Sequence, residues 1–301
     1  MKDIFLSLGS NLGDHRKNIF AAVEKLREKS KLIKFSSLYE TEAWGKTDQP
    51  NFLNAAAWFK TELDPYDFLD EIHRIENELG RIRLEHWGSR TIDIDILHYE
   101  NFSCNDDRLT LPHKFLKQRR FVLEPLSEIR PEFENLLRDC TDNLKVEKIF
   151  GSPNDFNFIL LACVDENFGL GFENQLLFRI PKDMKKFREL TLNQRVIMGR
   201  KTFESIGKFL PDRENFVLSR HGLTIEKLFE RLDNSKKNFI IGGSEIYEKF
   251  LPYVNRAEIT LVHETRRSDV FLENLFERED FLIESRQKFE DGFEFLTFIR
   301  K

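Results

Sequence analysis

The sequence predicts two domains, an α+β half followed by an α/β half. Three observations predict this. Strand-like and helix-like segments are interleaved from residue 3 to residue 98. A cluster of turn formers, Gly151-Ser152-Pro153-Asn154-Asp155, is followed at once by a new apolar strand. The second half twice runs a strand through glycine into a helix. At 301 residues the chain is long enough for two ordinary cores.

In the first half, Asp3-Ile4-Phe5-Leu6-Ser7-Leu8 reads as a strand (3–8). A helix (15–29), a strand (32–40), a strand (52–62), a helix (65–79) and a strand (91–98) follow, then loops and short helices. This order suggests an α+β sandwich in which helices cover a mostly antiparallel sheet. The last strand holds Thr91-Ile92-Asp93-Ile94-Asp95-Ile96-Leu97. Residues two apart share a face, so both carboxylates sit together, roughly 7 Å apart at the backbone. Such a pair suits either two Mg²⁺ ions clamping a nucleotide phosphate chain or the solvated acidic face of a half-buried strand. Arg81, Arg83 and Arg90 precede or flank it, and Arg108, His113, Arg119 and Arg120 follow. Guanidinium forks suit polyphosphate oxygens, which favours metal-bridged ATP.

The domains are expected over 1–148 and 156–301, with a short linker at 149–155. The second half opens on an apolar strand, Phe156 to Val164. A helix begins at Pro181. Arg195-Val196-Ile197-Met198 is a strand leading into Gly199-Arg200-Lys201-Thr202, and Phe239-Ile240-Ile241 leads into Gly242-Gly243-Ser244-Glu245. A glycine turn before a helix leaves backbone N–H groups for phosphate, and a Gly-Gly pair admits close approach. Taken alone, each reads first as an ordinary strand-to-helix turn.

Composition sets further bounds. Net charge is −5, from 47 basic and 52 acidic residues, which argues against non-specific nucleic-acid binding. The 30 phenylalanines read as core filling. Three widely spaced cysteines, Cys104, Cys140 and Cys163, suggest a reducing compartment with neither disulfide framework nor zinc site. No apolar run approaches ~18 residues, so neither signal peptide nor membrane span is expected, and a cytoplasmic location is.

Ordered blocks in the first half carry a resemblance. They are Leu8-Gly9-Ser10-Asn11-Leu12-Gly13-Asp14, Asp48-Gln49-Pro50-Asn51-Phe52-Leu53-Asn54-Ala55-Ala56, Gly80-Arg81-Ile82-Arg83, Trp87-Gly88-Ser89-Arg90-Thr91-Ile92-Asp93-Ile94-Asp95 and Leu109-Thr110-Leu111-Pro112-His113. Residues 1–130 resemble 6-hydroxymethyl-7,8-dihydropterin pyrophosphokinase. The resemblance implies a ferredoxin-like core and pyrophosphoryl transfer from ATP to the pterin hydroxymethyl oxygen, releasing AMP. It also implies two Mg²⁺ ions on Asp93 and Asp95, with Arg81 and Arg90 catalytic beside them. Phe52 and Phe121 are implied to sandwich the pterin, with Thr41, Trp44 and Asn54 in the pocket. Glu76, Arg83, Trp87, Ile96, Arg108, Thr110, His113 and Arg119 are implied around ATP. Two departures stand out. The loop Arg83-Leu84-Glu85-His86-Trp87 is one residue shorter than in familiar relatives, and His86 and Lys114 stand where arginine and tyrosine are expected.

Blocks in residues 156–301 resemble dihydrofolate reductase. They are Ala162-Cys163-Val164-Asp165-Glu166-Asn167-Phe168-Gly169-Leu170-Gly171, Ile180-Pro181-Lys182-Asp183, Val196-Ile197-Met198-Gly199-Arg200-Lys201-Thr202, Leu210-Pro211-Asp212-Arg213 and Ile240-Ile241-Gly242-Gly243-Ser244-Glu245-Ile246-Tyr247. The resemblance implies a mixed sheet flanked by helices and reduction of 7,8-dihydrofolate by NADPH. Asp183 is implied to be the one buried carboxylate of an apolar pocket, assisting proton delivery, with Thr260 behind it. Cys163, Phe178, Phe187, Ile206, Leu210 and Ile241 are implied to line the folate site, and Arg213 to clamp its carboxylate. Ala162, Leu170, Arg200, Lys201, Thr202, Leu218, Ser219, Arg220, Gly242, Gly243, Ser244, Glu245, Ile246 and Tyr247 are implied to hold NADPH. The family's Leu-Pro-Trp is replaced by Leu176-Leu177-Phe178. Only 18 residues separate Ser219 from Asn238, which implies a lost strand.

The expectation is a bifunctional folate-pathway enzyme. Its small-molecule partners are ATP, 6-hydroxymethyl-7,8-dihydropterin and dihydrofolate, with no nucleic acid and no membrane. The step between the two reactions suggests association with dihydropteroate synthase as a hypothesis. Rival readings of the second half are a reductase of a related pyrimidine and a non-catalytic folate or NADPH sensor.

Overall fold

The computed structural model describes residues 1–42, 50–81, 89–149 and 155–301. It divides into two units, Met1–Asp155 and Phe156–Lys301.

The first unit runs β1 (Lys2–Ser10), α1 (His15–Leu26), β2 (Ser30–Phe35), β3 (Leu38–Thr41), β4 (Phe52–Thr61), α2 (Pro65–Glu78), β5 (Asp93–Tyr99), the short hairpin β6 (Cys104–Asn105) and β7 (Thr110–Leu111), α3 (Arg120–Ile129), α4 (Glu134–Arg138) and β8 (Val146–Ile149). Its sheet has the order β5-β1-β4-β3-β8, with β2 also on β4. Every pairing is antiparallel. Helix α1 starts where the Asp14 carboxylate caps Lys17 N–H, and α2 where Asp64 caps Tyr66 and Asp67 ahead of Pro65. Phe68, Ile72 and Ile75 of α2 recur at helical spacing and are buried. On the other face Phe5, Ala56, Trp58 and Leu97 pack with Val122, Leu123, Leu126 and Ile129 of α3.

Two expectations need correction. Helix 15–29 ends at Leu26, where the Glu28 and Lys29 N–H groups bond the carbonyls three residues back and the Ser30 hydroxyl donates to the Leu26 carbonyl at 2.5 Å. The single strand expected over 32–40 is two strands, broken at Ser36-Ser37. There Ser37 N and Oγ both donate to Glu128 of α3, at 2.9 and 2.7 Å, instead of to the sheet. Beyond α4 the chain returns as β8, which pairs with β3.

The second unit runs β9 (Phe158–Val164), β10 (Gly169–Phe172), β11 (Gln175–Leu176), α5 (Pro181–Thr191), β12 (Arg195–Gly199), α6 (Arg200–Ile206), β13 (Glu214–Leu218), α7 (Ile225–Phe229), β14 (Asn238–Ile240), α8 (Ser244–Phe250), β15 (Val254–Val262), β16 (Val270–Phe271), β17 (Phe281–Phe289) and β18 (Phe293–Arg300). Its large sheet has the order β13-β12-β14-β9-β15-β18-β17. The pairings from β13 to β15 are parallel, and those of β18 are antiparallel. The apolar runs of β9, β12 and β14 suit parallel strands covered on both faces. Between β13 and β14 lies only α7 and no named strand, so β13 is an edge, as the short segment implied. All three cysteines are free. Among the described residues no helix is long and apolar enough to cross a membrane.

Candidate active sites

The first site is built by cross-strand register. Gly9 of β1 lies opposite Asp93 on one side and Asn54 on the other, and Tyr39 lies opposite Asn54. Ser7 likewise separates Asp95 from Ala56. Directly opposed residues share a face, so the acid pair and Asn54 face the same way, about 10 Å apart across two strand spacings. Gly9 keeps the space between them open, since a Cβ there would stand 3.1 Å from Asn54 Oδ1 and 3.8 Å from the Phe52 ring. Asn54 Nδ2 donates to Thr41 Oγ1 at 2.7 Å, and half-buried Phe52 is the sheet partner of Thr41. The structure thus joins Thr41, Phe52 and Asn54.

The acid pair is held by cations. Arg81 Nη2 lies 2.6 Å from Asp93 Oδ1, and Arg90 pairs with Asp93 Oδ2. Arg81 also pairs with Glu76, whose Oε1 accepts the Ile94 N–H at 2.8 Å. Arg119 Nη1 lies 3.6 Å from Asp95, and its guanidinium sits 5.7 Å from the Phe121 ring centre. Lost solvation, and secondly the Asp93 charge, push the Asp95 carboxyl up to about 7. Two crowded carboxylates of this kind are a donor set that a divalent cation relieves. Burial, then Arg119 and Lys114, push His113 down to about 4, so its ring is neutral near pH 7.

Other expected residues fall elsewhere. Glu76 is buried beneath β5 and engaged with Arg81 and Ile94, not open to a nucleoside. Ile96 alternates onto the opposite face from the acids and is 4% exposed, so its side chain is core. Arg108 is exposed and pairs with Asp70 at 2.6 Å beside the Tyr66 ring, while Thr110 bonds Asn105 at 3.2 Å. Trp44, Arg83, His86 and Trp87 lie outside the described residues. Sequence reasoning gave Asn11 no role, yet this buried side chain takes the Arg90 N–H at 2.7 Å and fixes the start of the acidic strand. The Gly-Ser-Asn run at the end of β1 was its signal.

The second site gathers on the sheet beside α5. Thr260 of β15 is the register partner of Cys163 of β9, and its Oγ1 donates to Asp183 Oδ1 at 2.6 Å. Burial raises the Asp183 carboxyl above the ordinary range, opposed by Thr260 and Lys186. Burial, then Asp183, raises the Cys163 thiol. Asp183 is half-buried, while Asp165, Glu258 and Glu294 of the same unit are buried on their own donors. Lys186, one turn after Asp183, pairs with Glu258 at 2.9 Å and ties α5 to β15. This contact was not anticipated.

Phe187, Ile206, Leu210 and Ile241 are partly buried and pack on Ile159, Leu161, Val196, Met198 and Phe239, together with Leu190 and Phe203. Arg213 sits at the end of α5, donating to Thr191 Oγ1, Arg188 O and Pro211 O. Phe178 lies under the Arg266 guanidinium, 4.3 Å from its ring centre, and Arg266 Nη1 donates to Leu177 O at 2.5 Å.

The two glycine turns meet. Gly199 N–H donates to Gly242 O at 2.8 Å, and the Gly242–Gly243 peptide is cis. Gly242 has φ +124, and a Cβ on it would stand 3.4 Å from Thr202 Oγ1 and 3.5 Å from the Tyr247 hydroxyl. Only glycine suits this conformation, and it leaves a bare backbone cradle. Tyr247 donates to Leu161 O at 2.6 Å, and Ile246 packs on Gly199; both are buried and brace the cradle, as Leu218 does β13. Ser244 and Glu245 open α8, with Glu245 paired to Lys249. Ala162 and Leu170 are half-buried on β9 and β10. Arg200 is exposed and pairs with Glu204; Lys201 and Arg220 are exposed, and Ser219 N–H bonds Leu223 O.

Comparison with known proteins divides the chain in the same way. Residues 5–131 match the family model for 7,8-dihydro-6-hydroxymethylpterin-pyrophosphokinase, and residues 157–299 match that for dihydrofolate reductase. The first half is 46% identical over 134 residues to a 2-amino-4-hydroxy-6-hydroxymethyldihydropteridine pyrophosphokinase of Methylorubrum extorquens, covering 44% of this chain and 85% of that one. It is 45% identical over 127 residues to a pyrophosphokinase of the same name from Haemophilus influenzae, 42% and 79% being covered. It is also 40% identical over 131 residues to the bifunctional protein FolKE of Lactococcus lactis, 43% and 38% being covered.

Proposed function

The chain belongs to the 6-hydroxymethyl-7,8-dihydropterin pyrophosphokinase family through its first half and carries a dihydrofolate reductase in its second, and from that premise we propose how the residues of this bifunctional folate-pathway enzyme divide the work. The antiparallel order of β5, β1, β4 and β2/β3 supports a ferredoxin-like reading of the first unit, and the mixed sheet supports a reductase fold for the second. A cytoplasmic setting suits both activities.

In the kinase half the row Asp93–Gly9–Asn54 carries the reading. Thr41, Phe52, Asn54 and Phe121 hold the pterin. Arg90, Arg119 and His113 bind the triphosphate. The hydroxymethyl oxygen bonds the β-phosphorus, the bond to the α-phosphate oxygen breaks, and AMP departs while the hydroxyl proton is lost. No covalent enzyme intermediate is needed, because positioning and charge neutralisation carry the transfer. Asp93 and Asp95 would hold two Mg²⁺ ions, which supply that neutralisation. Arg81 and Glu76 keep Asp93 in place.

In the reductase half the Thr260–Asp183 pair beside the Phe187 cluster carries the reading. Phe187 lies one helical turn from Asp183, so a flat pterin ring placed on the cluster reaches the carboxyl with its polar edge. Asp183 binds that edge and assists protonation of the ring nitrogen. The Gly242–Gly243 cradle fits the NADPH backbone, Arg200, Lys201 and Arg220 fit its phosphates, and NADPH supplies the hydride.

One preparation tests both halves. AMP formation from ATP and the hydroxymethyl pterin is expected to fall by about a hundredfold or more in Asp95→Asn and to persist in Asp183→Asn. NADPH oxidation by dihydrofolate is expected to show the reverse. Loss of both activities in either variant would contradict the division.

A further inference from the structure

We propose that Phe115 is the positioning residue that organises the polyphosphate-binding groups of the kinase half, an inference that rests on the pyrophosphokinase reading above. The segment between β7 and α3 runs His113, Lys114, Phe115, a 3-10 turn at Leu116–Gln118, then Arg119. The turn returns Arg119 over the Phe115 ring, with its guanidinium carbon 4.7 Å from the ring centre. Lys114 Nζ lies 4.7 Å from the same ring. The His113 ring meets it edge-on at 6.0 Å, and the Phe115 N–H donates to His113 Nδ1 at 3.3 Å. One residue therefore touches every basic group from His113 to Arg119 except Lys117.

Each contact has a consequence for an anion. A cation within about 6 Å of an aromatic face is attracted by the ring's quadrupole. Over the ring face the guanidinium directs its N–H bonds to partners other than the ring. Its Nη1 already reaches Asp95 at 3.6 Å. The Arg119 side chain is only 13% exposed, so its charge has little water to lean on and gains from the ring. With Nδ1 occupied by the Phe115 N–H, the proton of neutral His113 belongs on Nε2, which makes that atom a donor. The resulting array is a fork, an ammonium and a neutral donor arranged about one ring, which suits a triphosphate. Phe115 is half-buried while its neighbour Leu116 is 5% exposed, so Leu116 fills the core and Phe115 is left to the loop.

The test is made on the full chain. Phe115→Leu keeps apolar bulk and the backbone N–H but removes the aromatic face; Phe115→Tyr keeps all three. Binding of a non-hydrolysable ATP analogue with Mg²⁺ is measured by calorimetry, alongside KM for each kinase substrate. Phe115→Leu is expected to weaken analogue binding and raise KM for ATP about tenfold. KM for the pterin and NADPH oxidation by the same preparation stay at the wild-type level, and Phe115→Tyr recovers binding. Equal analogue affinity in Phe115→Leu and wild type overturns the proposal. So does a Phe115→Tyr variant as weak as Phe115→Leu, or a parallel rise in both KM values with a lower Tm, which marks a merely structural role. If wild type itself forms no AMP, the pyrophosphokinase reading fails, and the calorimetry still decides the role of Phe115.

Discussion

Thr260 Oγ1 donates to Asp183 Oδ1 at 2.6 Å, joining β15 to the first turn of α5. The bond opposes the effect of burial. Burial raises the Asp183 carboxyl above its ordinary range, and Thr260 and then Lys186 pull it back. The same hydroxyl fixes which way the carboxylate faces.

Replacing Thr260 with valine removes the donor and keeps the volume. A hydrogen bond to the charged form is lost, so the Asp183 carboxyl moves further up. The pH profile of kcat/KM for dihydrofolate is expected to shift to higher pH, and Thr260→Ser to leave it in place. A valine variant with the wild-type profile would show that Thr260 does not act on Asp183.

Asp183 weighs against folding. Its native carboxyl titrates above its unfolded one, so the native state binds the proton more tightly. This disadvantage is absent well below the unfolded value, grows as pH rises through the folded value, and is complete above it. Asp183→Asn removes it. At pH 7 the variant is expected to show a higher Tm than wild type while NADPH oxidation falls by roughly a hundredfold or more. Thermal melts and turnover on the same preparations check both halves; a lower Tm contradicts the assignment.

Asp95 obeys the same sign with a defined window. Its carboxyl is pushed from 3.8 up to about 7, so in chelator the native state loses stability as pH rises across that interval. The difference in Tm between Asp95→Asn and wild type is expected to grow from pH 4 to pH 8 and to shrink when Mg²⁺ and ATP are added. Kinase turnover in Asp95→Asn falls by about a hundredfold or more. A pH-independent Tm difference would sink the argument.

The legible parts of the fold and sites were local in sequence. Alternation placed Asp93 and Asp95 on one face, the turn formers after Gly151 marked the start of the second unit, and the glycine pair marked the cradle between β14 and α8. What stayed hidden depends on partners distant in the chain. Ser36-Ser37 breaks a strand because Glu128 lies 91 residues away in sequence and offers two better acceptors. Glu76 reads as an exposed helix acid until β5 arrives above it with the Ile94 N–H. Ile96 follows from the alternation that placed the acids, applied one residue on. Phe115 looks like any core phenylalanine until the 3-10 turn swings Arg119 over it.

Glu71 is expected to govern acid stability in the first unit. Its side chain is 6% exposed and binds Arg74 at 2.5 Å and Lys29 at 2.8 Å. Arg74 first, opposed by burial and helped by Lys29, holds the carboxyl at about 2 instead of 4.5. A depressed native value stabilises the fold above pH 4.5 and loses that contribution as pH falls toward 2. Between pH 6 and pH 3 wild type should lose more Tm than Glu71→Gln, and the two should converge at the acid end. Parallel acid curves would place the linkage elsewhere.

Arg213 makes the sharpest substrate prediction. Its Nε and Nη2 donate to Thr191 Oγ1 at 3.2 Å, Nη2 also to Arg188 O at 3.2 Å, and Nη1 to Pro211 O at 2.7 Å. These acceptors are neutral, and Arg213 makes no ion pair among the described residues. The fork is therefore oriented without being neutralised, with N–H groups to spare. A carboxylate met there forms charge-assisted bonds in fixed geometry, which lysine cannot reproduce as a fork. Such bonds contribute about 1.5–3 kcal/mol, so Arg213→Lys is expected to raise KM for dihydrofolate roughly 10–100-fold. Thr191→Val, which loosens the fork but leaves its charge, is expected to fall between lysine and wild type. A reduced pterin lacking the glutamate tail should be turned over equally by wild type and Arg213→Lys, because the change removes only the clamp. If both substrates lose equally, Arg213 supports the fold of the α5 terminus and not the substrate, and the pocket's preference for an anionic tail must come from another cation.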